Sequence, residues 1–166
     1  MLAATLAATL LSCSSGRKAD DYELAYRAPA PNQAFIRAGR AVPPRNAPLE
    51  VVRAIDAANR IAGLPYKWGG GHAVFNDTGY DCSGATSYVL RNAGLMESQM
   101  PSRGFLRYGQ KGHGKWISVV ARDGHVYLVI AGLRFDTQGQ ERRDGPKWHY
   151  DLRSTRGHVV RHPQGL

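Results

Sequence analysis

With 166 residues, the chain has room for one domain and a tail. Apolar residues make up 43 %, enough for one compact core, and Lys and Arg number 22 against 13 Asp and Glu, a net charge of +9. Such a chain should adhere to polyanions: nucleic acid, anionic lipid or acidic wall polymers. The absence of an aromatic RNP pattern, zinc-finger spacing and a recognition helix excludes nucleic acid as the expected partner.

Residues 1–11 are almost all Ala, Leu and Thr and carry no charge. The run is too short to span a bilayer and reads as the apolar region of a signal peptide. It ends in Leu10-Leu11-Ser12-Cys13, followed by Ser14-Ser15-Gly16. That pattern resembles a bacterial lipobox, in which a small residue precedes the cysteine that becomes the lipid-bearing N-terminus. No Lys or Arg precedes the apolar run, so an ordinary cleaved signal is the alternative. A Cys13–Cys82 disulfide would consume both cysteines of the chain. The expected organisation is a lipoprotein-type signal peptide at 1–12, a lipid-anchored Pro/Ala-rich tether at 13–48, and one domain at 49–166. Pro29, Pro31, Pro43, Pro44 and Pro48 lie in the tether without a sustained apolar period.

Order is expected from Leu49. Leu49, Val52, Ile55, Ala58 and Ile61/Ala62 recur at helical spacing, and Gly63 and Pro65 stop that helix. Tyr66-Lys67-Trp68 enters a triple glycine, Gly69-Gly70-Gly71. A second helix is predicted at 82–93, offering Ala85, Tyr88 and Val89 to a core and closed by Gly94. Beyond it the period changes. Residues 116–121 read as a strand, Asp123-Gly124 as a turn, and 125–131 as a central strand. Gly132-Leu133 turns the chain, 134–137 returns, and 157–161 is a short strand candidate in a polar, Arg-rich tail. Helices first and an antiparallel sheet afterwards predict an α+β domain.

Asp81-Cys82-Ser83-Gly84 places a thiol at the first turn of the second helix. Unpaired N–H groups and the helix dipole at such a position favour the thiolate, the nucleophilic form. A cysteine nucleophile needs a base that can hold its proton and return it to a leaving amine, and an imidazole is suited to this. Of the six histidines, His125 opens the best strand just after a tight turn, where a side chain is rigidly aimed. His158, in a Gly-His-Val-Val run, is its rival. A third group must orient the imidazole. On the return strand Asp136 and Gln138 share one face, Phe135 and Thr137 the other. Asp136 suits the role best, and Thr137 takes its place if the turn differs by one residue. Between residues 100 and 122, Arg103, Arg107, Lys111, Lys115 and Arg122 occur without an acid, a cationic wall suited to carboxylates. Trp116 and Trp148 are expected in the core. Neither a His-x-x-His nor a Cys-x-x-Cys pair occurs, so neither metal nor cofactor is expected.

These residues resemble a family. Tyr66-Lys67-Trp68-Gly69-Gly70, Asp81-Cys82-Ser83-Gly84, Met100-Pro101-Ser102-Arg103 and Gly124-His125-Val126 are similar, in order, to the motifs of NlpC-type cell-wall peptidases. These are papain-like cysteine enzymes that cut the peptide stems of bacterial peptidoglycan. The resemblance covers about residues 50–138. It implies a papain-like fold with helices on a small antiparallel sheet, Cys82 as nucleophile and His125 as base. It also implies that the Tyr66 hydroxyl lies near the oxyanion, beside the Cys82 backbone N–H. Two departures stand out. Residues 115–120 replace the family's Pro-Gly-Asp-Leu strand, and Phe135-Asp136-Thr137-Gln138 takes the place of a run like Ile-His-Ala-Ser, whose histidine is usually the family's third polar residue.

The expectation is therefore a monomeric endopeptidase of the bacterial envelope, acting on peptidoglycan stem peptides and held at a membrane through lipidated Cys13. An amidase or acyltransferase on the same fold, or an envelope-binding lipoprotein without activity, are the alternatives. Lipidation is open to direct measurement. The intact mass of the protein from its native host should show a chain beginning at Cys13 and carrying acyl groups. A mature chain starting elsewhere, or without acyl mass, rules the anchor out.

Overall fold

The computed structural model describes residues 30–138 and 144–166. The predicted signal peptide, Cys13 and the first part of the tether lie outside the described residues. Structure begins ahead of Pro48: β1 (Phe35–Arg37) and β2 (Arg40–Val42) form an antiparallel hairpin inside the stretch whose composition suggests a tether. Its flanking Ala34 and its Ala41 are buried in the core. Composition conceals this because the hairpin is short and its burial rests on two alanines and on backbone bonding, not on a periodic apolar stripe.

Two α-helices follow among the described residues, α1 (Leu49–Ile61) and α2 (Cys82–Asn92). In α1 the buried face is Val51, Ala54, Ile55, Ala58 and Ile61, whereas Leu49 is 57 % exposed. The apolar stripe is thus displaced from the predicted one at its first turn. Pro48 supplies the extended residue ahead of the helix, and its carbonyl accepts from Val51 and Val52 N–H. Helix α2 is buried from Ser83 to Leu90, Ala85, Tyr88 and Val89 included, as its central place between α1 and the sheet requires.

Among the described residues the sheet has six strands: β3 (Gln110–Lys111), β4 (Ile117–Arg122), β5 (His125–Ile130), β6 (Leu133–Asp136), β7 (Lys147–His149) and β8 (Val159–His162). A 3-10 turn (Gly104–Arg107) precedes β3. The order is β3-β8-β4-β5-β6-β7, and every pairing is antiparallel. Since β7 and β8 lie on opposite sides of β4–β6, the segment joining them must cross the sheet. It crosses the face that carries Tyr127 and Arg134, as the contacts of Asp151, Arg153 and His158 show. Val126, Leu128 and Ile130 of β5 point into the core with Phe135 of β6, and Trp116 and Trp148 are buried there too. The alternate residues His125 and Tyr127 point to the crossover side.

Asn59 ties three elements together. Its amide accepts from Ala41 N (2.9 Å) and donates to Ala41 O (2.8 Å), while Trp148 Nε1 donates to its Oδ1 (2.9 Å). One buried side chain on α1 thereby holds β2 and β7. Replacing it by Ala leaves these groups without partners. Asn59→Ala should therefore cost about 2–4 kcal/mol of stability in urea unfolding, well beyond a surface substitution.

Candidate active site

The site begins with a close approach of backbones. A Cβ on Gly84 would collide with the Gly70 carbonyl oxygen, and one on Gly70 with the carbonyl of Gly79. Only glycine lets the loop lie against the first turn of α2. Asp81 caps the helix, its Oδ1 accepting from Gly84 N at 2.7 Å, while its Oδ2 accepts from Gly69 N at 3.1 Å. Cap and loop are thus held by a single carboxylate. Ser83 Oγ donates to Asp81 Oδ1 (3.0 Å), and His72 Nε2 lies 3.2 Å from that oxygen and 3.1 Å from Ser83 Oγ. Tyr80 N–H donates to Pro65 O and Lys67 N–H to Tyr80 O, which pairs Tyr66 with Tyr80. Half-buried Tyr66 therefore sits on a short ladder two residues from Cys82. Asp77 closes the loop with a bond from Lys67 Nζ (2.7 Å), which holds its carboxyl down at about 2.

His125 reaches the same place from the sheet. It lies at the start of β5, opposite Arg122, after a turn in which Gly124 has φ +77°. The ring is 3 % exposed, and its Nε2 lies 3.1 Å from Asp136 Oδ1. Its other partner is Cys82: burial depresses the imidazole pKa, but the interactions with Asp136 and Cys82 outweigh burial and lift it to about 9. With Nε2 turned to Asp136, Nδ1 is the nitrogen left for exchange with the thiol.

Asp136 arrives by register. β5 and β6 are joined by Ala131 and Gly132 alone, with φ +46° and +82°, the backbone of a type I′ turn. The turn lies one residue earlier than the sequence suggests. Phe135 then stands opposite Leu128, and Asp136 falls on the His125 side of the sheet. Thr137 takes the other face, and its buried Oγ1 has no hydrogen-bond partner. Asp136 also accepts from Arg134 Nη1 (2.5 Å) and Gln138 N (3.0 Å). Burial pushes its carboxyl up, but the bond to His125, together with the charges of His125 and Arg134, leaves it below the usual range.

The structure thus brings Cys82, His125 and Asp136 together and puts Tyr66 on the adjoining ladder. Cys13 lies outside the described residues. His158 is not part of this contact: its ring lies edge-on against Tyr127 at 6.0 Å, and its Nδ1 faces Arg156 O at 3.1 Å. Among the described residues no group of three or more His, Cys, Asp and Glu is arranged to hold a metal. Sequence reasoning missed Arg134, which shares Asp136's face of β6, and Asp151 and Arg153 on the crossover. The signal for Arg134 was present: Arg and Asp two residues apart in an otherwise apolar strand share one side of the sheet. Nothing local marks Asp151 or Arg153, whose place depends on the strand order.

No family model matches the sequence, and no curated protein does. Solved structures do share the fold. The peptidoglycan hydrolase RipB from Mycobacterium tuberculosis is 21 % identical with a TM-score of 0.52, over 73 % of this chain and 68 % of that one. An NlpC/P60 family protein from Bacillus cereus gives 21 % and 0.52, over 77 % of this chain, which spans less than half (43 %) of that larger protein. RipD from Mycobacterium tuberculosis, described as a non-catalytic NlpC/p60 domain adapted to peptidoglycan binding, gives 21 % and 0.51, over 72 % of this chain and all of that one. The chain has an NlpC/P60-type fold, in the α+β class.

The coupling of His125 has a measurable sign. Its folded-state pKa lies above 6.5, so its stabilising contribution is complete below about pH 6.5 and is lost as pH rises through about 9. That of Asp136, whose value is lowered, is present above the ordinary carboxylate range and lost in acid. NMR titration of the His125 ring should give a midpoint near 9. In Asp136→Asn the midpoint should fall towards the ordinary value or below, because burial then acts with less opposition.

Proposed function

We propose that this protein is a cysteine endopeptidase that cleaves peptidoglycan stem peptides. The observation that carries this reading is the placement of Cys82, at the capped start of α2, within interaction range of an imidazole that itself lies 3.1 Å from a buried carboxylate. The NlpC/P60-type fold, shared with a peptidoglycan hydrolase, supports the substrate class.

His125 holds the proton that Cys82 has given up, and the sulfur, as thiolate, attacks the carbonyl carbon of the scissile amide. The resulting oxyanion is met by the backbone N–H of Cys82 and the hydroxyl of Tyr66. The C–N bond breaks as His125 delivers the proton to the leaving amine, leaving a thioester on Cys82. Water, giving a proton to His125, then attacks the thioester; the C–S bond breaks, the sulfur leaves as thiolate beside the imidazolium, and the acid departs as a carboxylate with its proton lost to solvent. Asp136 holds the ring and stabilises its charged form throughout. In the envelope, the apolar start of the chain and Cys13 would deliver the domain to a membrane surface.

Purified peptidoglycan incubated with the protein, followed by mass analysis of released fragments, tests this reading. Wild-type protein should release stem-peptide fragments. Cys82→Ala and His125→Ala should each abolish release, and the double variant should be little worse than either alone, because the two act as a unit. Fragment release that survives in Cys82→Ala removes the cysteine mechanism. Binding without release by the wild type would point to a peptidoglycan-binding domain, and transfer of the acyl group to an amine would point to an acyltransferase.

A further inference from the structure

Among the described residues the largest fully buried side chain is a cation, Arg134, 1 % exposed on a strand whose other face is core. Burying a guanidinium is costly unless every donor finds an acceptor. Its acceptors are of two kinds. Towards the crossover that joins β7 to β8, Nε donates to Asp151 O (2.9 Å) and Nη2 to Asp151 Oδ2 (2.9 Å). Towards the site, Nη1 donates to Asp136 Oδ2 (2.5 Å) and to Gln138 O (3.0 Å). The crossover adds Arg153, whose Nη1 lies 3.7 Å from Asp136 Oδ2 and whose Nη2 donates to Gln138 O (2.9 Å).

The division of the Asp136 carboxylate is what matters. Oδ2 belongs to Arg134, while Oδ1 takes Gln138 N and faces His125 Nε2. A carboxylate held on one oxygen by Nη1 of a guanidinium whose Nε and Nη2 are fixed on Asp151 is restrained from swinging away from the ring beside its other oxygen.

We propose that Arg134 is a positioning residue for the active site: it locks Asp136 so that Oδ1 is aimed at His125, and through Asp151 it makes the crossover part of that site's support. The consequence for turnover rests on the hydrolase reading above; the geometric role does not. The charged and titratable groups around the pair are Cys82 on α2, Tyr127 on β5, Arg134 on β6, His149 on β7, and Asp151 and Arg153 on the crossover.

The test is the His125 ring titration, by NMR on the full chain, in Arg134→Met, with fold retention checked by near-UV circular dichroism. Release of Asp136 should lower the His125 midpoint by roughly one unit or more from the wild-type value, and turnover of stem peptides should fall roughly tenfold, in kcat rather than KM. Loss of the cation alone, with Asp136 still in place, would move the midpoint upward, since a neighbouring positive charge disfavours imidazolium. A midpoint at or above wild type therefore overturns the proposal. Should Arg134→Met lose its fold, Arg134→Lys takes its place. Its single ammonium cannot span Asp136 and Asp151 as the fork does, so a lowered midpoint supports the proposal and an unchanged one overturns it. A lowered midpoint in a protein whose wild type releases no fragments would retire the hydrolase reading and keep the positioning role.

Discussion

Asp81 joins two things that would otherwise move separately: the glycine loop and the helix that carries the thiol. One of its oxygens accepts from Gly84 N at the start of α2, the other from Gly69 N in the loop. The Gly70–Gly84 approach brings the two backbones into contact at the same level. Cys82 lies inside this clasp, one residue after the cap. Helix geometry then directs the thiol out of the first turn, towards whatever the sheet presents. A larger residue at Gly84 would part loop and helix and displace the thiol without touching it.

The sheet presents its half by register alone. Turns of minimal length on both sides of β5 leave no slack, so His125 and Asp136 are fixed relative to one another by strand pairing. The cost is a carboxylate, an imidazole and a guanidinium buried side by side. Such a cluster persists only where its hydrogen bonds are satisfied, and the β7–β8 crossover supplies the acceptors that Arg134 needs beyond Asp136. A segment far along the chain from Cys82 thereby supports the chemistry proposed for it.

Much of this could be read from the chain. The capped helix, the tight turns and the strand opening on His125 are local patterns, and local patterns predicted the α+β class, the two helices and the three central strands. The choice between Asp136 and Thr137 needed the register, which a turn displaced by one residue would have reversed; the β5–β6 hairpin puts Asp136 on the His125 side. The hairpin at 35–42 was not legible, because its burial rests on two alanines and on an asparagine far along the chain. Nor was the β3-β8-β4 pairing, which brings the last strand between two earlier ones. The supporting role of Arg134 follows from that same non-local order, since Asp151 reaches it only because the chain crosses the sheet.

The central claim is that Cys82 forms a covalent bond with the acyl part of a stem peptide. Acid quenching within the first turnovers, followed by intact-mass and peptide mapping of the protein, reads this directly. The account predicts a mass increase equal to the acyl fragment, located on the peptide containing Cys82 and lost on longer incubation as the thioester is hydrolysed. Stem-peptide cleavage with no adduct at Cys82, or an adduct on another residue, would contradict it.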